Sequence, residues 1–196
     1  MNLAALQKKV AKIKELDPKS KVYRFYRVTH VQYIENFEEK FKIRLPEDFR
    51  EFLINIASGI EERGFNPCSV MDDIKFWEHS LTENQNNPSK KFQLTTRITA
   101  FADELNFADF YPYPSNVRYF EHDAFTNGII PILNTGCGAY DFIVVNGPEH
   151  GNIWSNNYMS NSDLFPRFNK KFSLNRISFE FWINQQLDDA IRYLSG

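Results

Sequence analysis

The chain has 196 residues, a formal net charge of −2, and 42% hydrophobic residues with nineteen phenylalanines. A chain of this length can bury about 70% of its unfolded surface in one core, so it needs no disulfide or metal staple to fold. Its longest apolar runs fall far short of the roughly 20 residues of a membrane span, which excludes a helical membrane protein.

The segment MNLAALQKKVAKIKELDPKSK interleaves apolar residues with lysines and has no continuous apolar centre, so it does not read as a secretory signal and a cytoplasmic location is expected. Leu3, Leu6, Val10, Ile13 and Leu16 instead recur every three or four residues, which predicts an amphipathic helix over a core. Asp17-Pro18 ends that pattern. VYRFYRV (22–28) is aromatic and β-branched and predicts an extended segment.

In residues 31–59 the spacing predicts two helices joined by an elbow at Leu45-Pro46. Ile34, Phe37 and Phe41 share one face of the first. In the second, Pro46 suits the opening turn, Glu47 and Asp48 complement the positive helix end, and Phe49, Phe52, Leu53 and Ile56 form the apolar face. Gly59 stands where a glycine would end it.

Further on, GFNPCSVM suggests a turn and short strand, DDIKFWEHSL a helix, and ENQNNPSKK a loop. Residues 101–125, with Pro112, Pro114 and many aromatic and acidic residues, suggest an irregular surface segment. GIIPIL, AYDFIVV and GNIWSN, within residues 128–156, predict an antiparallel meander. SFEFWINQQLDDAIRYL (178–194) predicts a closing helix, with Ser178 as N-cap and Phe181, Trp182, Leu187, Ile191 and Leu194 buried. The pattern as a whole predicts one α+β domain.

The stretch TGCGAYDFIVV could be taken for a phosphate cradle. A dinucleotide fingerprint needs its third glycine at a helix start, whereas here that position is Asp141 and a strand-like run follows. Gly136 and Gly138 are therefore expected to be turn residues, and no cofactor is expected. Cys137 would need a base placed beside it to act as a nucleophile, and the sequence supplies none. Cys68 and Cys137 have no metal-ligand spacing, and His30, His79, His122 and His150 are scattered, so no metal site is expected. Glu121-His122-Asp123 reads as a solvated acidic loop, and Asp72-Asp73 as a helix-start pair. No catalytic residue is assigned, and the chain is not expected to be an enzyme.

At this point the residues resemble a known family. LPEDFREFLINIASG (45–59) resembles the helix start of the SUKH superfamily, the cell-wall-assembly-regulator-like proteins, which reads Leu-Pro, Glu, an acid, an aromatic and then Phe-Leu. GIIPILNTGCGAYDFIVVNGPEHGNIWSNN is similar to its second hallmark, a Pro-containing strand, a Gly-rich turn, an apolar strand and G-x-[IV]-W. The chain departs from it at Thr135–Gly138, where many relatives carry an acid, and over residues 72–127, which match loosely. The resemblance implies an α+β fold with helices around a mainly antiparallel sheet. It also implies a bacterial immunity protein that neutralises a toxin by binding it, or, as in eukaryotic relatives, an interaction scaffold.

The charge is unevenly spread. Residues 1–50 hold twelve Lys/Arg against seven Asp/Glu, whereas residues 101–159 hold Arg118 alone against Asp103, Glu104, Asp109, Glu121, Asp123, Asp141 and Glu149. Aromatic anchors in an acidic field suit a basic protein partner such as a toxin domain, and the nominated contacts are Asp103, Asp109, Tyr111, Tyr113, Glu121 and Asp123. The competing view is that these rings cap the sheet. Lys8, Lys9, Lys12, Lys14, Lys19, Lys21, Arg24 and Arg27 with Tyr23, Phe25 and Tyr26 would suit nucleic acid, but lysines between apolar stripe positions are the ordinary solvated face of a helix. Nucleic acid and membrane are not expected partners.

Overall fold

The structure, a computed structural model, describes residues 1–63, 69–71, 73–74, 88–91, 127–136, 139–157, 163–169 and 175–196. Among them are four helices and seven strands: α1 (Leu3–Leu16), β1 (Tyr23–Phe25), α2 (Val31–Phe41), α3 (Glu47–Asn55), β2 (Ile60–Glu62), β3 (Ser69–Met71), β4 (Ile129–Gly136), β5 (Ala139–Val144), β6 (Ile153–Asn157), β7 (Asp163–Pro166) and α4 (Phe179–Ser195). The fold is α+β, as the pattern predicts. The antiparallel strands form two sheets, ordered β1-β2-β3 and β4-β5-β6-β7. β3 lies against β4.

Several helix ends have a reason visible in the sequence. Asn2 caps α1 by accepting from the Ala5 N–H, and Ser178 caps α4 by accepting from the Phe181 N–H. At the far end of α1, the buried Asp17 carboxylate accepts from the backbone N–H groups of Lys21 (2.8 Å), Val22 (2.8 Å) and Tyr23 (2.9 Å). One side chain thereby stops α1 and fixes the approach to β1. Pro46 sits at the N-cap of α3, one place before the position the sequence suggests; its missing N–H costs nothing there.

One core draws on every layer. Leu6, Val10 and Ile13 of α1, Ile34 and Phe37 of α2, Phe49, Phe52 and Leu53 of α3, Ile130 and Ile132 of β4, Ile143 of β5 and Phe179, Trp182, Ile183 and Leu187 of α4 pack into one cluster. α1 lies along α4, and Lys9 Nζ ties them by donating to Asn184 Oδ1 and Asp188 Oδ2, both at 2.8 Å. The alternation of β5 and β6 gives the four-stranded sheet a second apolar face of Ile129, Phe142, Val144 and Trp154.

Some readings need correction or lie outside these residues. The buried face of α4 is Phe179, Trp182, Ile183, Leu187 and Ala190, while Phe181, Ile191 and Leu194 are only partly buried. Phe179, Trp182, Ile183, Leu187 and Ala190 share one face at three- and four-residue spacing, with Phe179 entering the core in the first turn. Gly59 does not end α3, which stops at Asn55. It allows a close backbone crossing instead: a Cβ there would lie 2.8 Å from Asp73 N and 2.9 Å from Asp73 Cα. Strands β2 and β7 were not expected, because β2 has three residues and β7 ends in proline. The helix suggested for DDIKFWEHSL, apart from Asp73 and Ile74, and the irregular segment 101–125 lie outside the described residues.

Gly59→Ala is expected to cost about 1–3 kcal/mol by overpacking against main chain that cannot swing aside. Gly151→Ala has a different cause. Gly151 has φ +87°, but a Cβ there meets Pro46 Cβ at an ordinary 3.7 Å, so only the backbone penalty of about 1–2 kcal/mol applies. Urea midpoints unchanged in both variants would contradict these assignments. A pH effect is expected at Asp17. Burial pushes its pKa up, but the N–H groups of Tyr23, Val22 and Lys21 and the Lys21 charge outweigh that and leave it lowered. A lowered carboxylate stabilises the fold above its unfolded pKa of about 3.9 and loses that contribution as pH falls through the folded value. Asp17→Asn should therefore be less stable at neutral pH and lose less stability than the parent on acidification below about pH 4; parallel pH–stability curves would contradict this.

Candidate functional site

The two sequence hallmarks meet in space. Gly151, which opens G-x-I-W, packs against Pro46 of the LPEDF segment, and His150 Nε2–H donates to the Arg44 carbonyl at 3.0 Å. The start of α4 completes the junction: Phe179 N–H donates to the Gly151 carbonyl at 3.2 Å, and Glu180 N–H donates to Asp48 Oδ2 at 3.0 Å. The Phe179 ring lies 4.6 Å from that of Phe49 and 5.5 Å from that of Phe52. Asp48 thus complements the N-terminal ends of two helices. Burial raises its pKa, and its hydrogen bonds from Glu180 and Phe49 offset that only in part.

Beneath this junction lies Asp141, 1% exposed, on the core side of β5. Ser155 Oγ, from its register partner on β6, donates to Oδ1. Arg167 Nη1 reaches Oδ1 at 3.0 Å and Oδ2 at 2.9 Å, and Trp182 Nε1–H of α4 donates to Oδ2 at 2.8 Å. An ionised carboxylate offers about four acceptor positions, and four contacts occupy them. This Ser-Asp-Arg grouping accordingly holds β5, β6 and α4 together.

A second ion pair sits on the other face of the sheet. Glu149 Oε2 accepts from Arg176 Nε at 2.8 Å and from Asn152 Nδ2 at 3.1 Å. The Arg176 guanidinium lies over the rings of Phe168 (4.8 Å) and Trp154 (5.8 Å). These pairs change the charge account. Two of the seven acids in residues 101–159, Asp141 and Glu149, are paired with Arg167 and Arg176, and the other five lie outside the described residues.

The nominated contacts Asp103, Asp109, Tyr111, Tyr113, Glu121 and Asp123 all lie outside the described residues, as do Gly138, Cys68, Cys137, His79 and His122. Gly136 closes β4 in register with Ala139. Of the Asp72-Asp73 pair only Asp73 is described, and it accepts from Ser58 Oγ. His30 caps α2, its Nδ1 accepting from the Gln32 N–H at 3.3 Å, and is thus tied to the helix start. Among the described residues no group of three or more His, Cys, Asp or Glu side chains is placed to hold a metal ion, and no helix is long and apolar enough to cross a membrane. The role of Asp141 escaped the sequence reading, although a signal existed: in AYDFIVV it shares strand parity with Ile143 and Val145, so its carboxylate points to the core and demands donors. Arg167 and Arg176 carried no such signal.

These features define the class: an α+β module whose hallmark residues interlock a four-stranded sheet with the helices around it. A family model described as the SMI1 / KNR4 family (SUKH-1) matches residues 30–170, and the chain belongs to that family. No curated protein and no solved structure matches the chain.

Trp182→Phe keeps the buried ring and removes one donor to Asp141. It should cost about 1–3 kcal/mol, the usual penalty for leaving a buried charged acceptor short of a hydrogen bond. A denaturation midpoint equal to the parent's would show that the indole N–H contributes nothing.

Proposed function

We propose that this chain is a non-catalytic protein-binding module, an immunity protein that neutralises a cognate toxin by direct binding in the bacterial cytoplasm. The observation that carries the reading is the family match over residues 30–170, since bacterial SUKH proteins typically act in this way. Two features of the chain support it. The conspicuous buried carboxylate, Asp141, has its acceptor positions filled by structural donors. The matched region also contains the acidic and aromatic stretch 101–123, whose charge suits a basic toxin domain such as a nuclease. Asp103, Asp109, Tyr111, Tyr113, Glu121 and Asp123 are the proposed contacts.

The nucleic-acid alternative loses ground to local pairing. Lys9 bonds Asp188, Lys12 pairs with Glu15, and Arg24 lies 3.9 Å from Glu61, which reduces the charge free to meet phosphates. An interaction scaffold remains the second reading within the family, and it differs in having a partner that is not a toxin.

The test is to identify the genes adjacent to this one, co-express the chain with any toxin domain encoded there, and follow association kinetics. A complex and protection of the host cell are expected, and absence of both would overturn the reading. Replacing Asp103, Asp109, Glu121 and Asp123 with Asn or Gln should slow association by about tenfold at low salt. The gap should narrow as salt rises, because exposed charges are screened over about 8 Å at physiological ionic strength. A parental rate at low salt would move the interface elsewhere. Cys137→Ala and His122→Ala should retain protection; its loss in a stably folded Cys137→Ala variant would favour an enzyme.

A further inference from the structure

We draw no further inference here: the strongest candidate, the second apolar face of the four-stranded sheet, where Ile129, Phe142, Val144 and Trp154 lie buried beside the Arg176 guanidinium, carries no proposal because nothing among the described residues shows what covers it.

Discussion

Asp141 places a carboxylate on the core side of β5, where an unpaired charge would be prohibitively expensive. The chain supplies its donors from three places far apart in sequence: Ser155 on β6, Arg167 beyond β7 and Trp182 on α4. Because each donor must arrive for the others to be worth having, the carboxylate couples sheet register to helix docking. A slip of one residue in β5 would turn Asp141 to the other face and put Phe142 in its place. Ion pairs of this kind contribute little net stability against an apolar substitute, but they penalise wrong arrangements heavily.

The apolar junction above it works by close approach. Gly151 adopts a left-handed backbone beside Pro46, and the Phe179 ring fills the space between Phe49, Phe52 and Trp182. Asp48 adds the polar link by accepting from the start of α4. The LPEDF and G-x-I-W segments therefore dock elements of this chain against one another. They carry the frame, and the proposed partner contacts belong to a different part of the chain.

The legibility of the sequence follows the same division. Helices were readable because their apolar stripes repeat at 3.6 residues and their ends carry Asp17, Pro46 and Ser178. The meander was readable because GIIPIL and AYDFIVV are apolar runs and glycines stand between the successive runs in the sequence. β2 and β7 were too short for periodicity to register. Gly59 misled because a glycine after a helix looks the same whether it caps the helix or admits a crossing backbone. Long-range pairings such as Asp141 with Arg167 leave no local trace, since 26 residues separate the partners. Of the candidate site, the sequence offers chemistry in residues 101–123 without geometry, while the structure gives geometry to the hallmark residues around it.

If the Asp141 carboxylate couples the sheet to α4, weakening it should loosen distant elements together. Amide hydrogen exchange of an Asp141→Asn variant, followed by mass spectrometry, tests this directly. The account predicts that peptides from β5, β6 and the first turns of α4 lose protection in concert, while α2 exchanges as in the parent. Loss confined to β5, with α4 as protected as before, would contradict it.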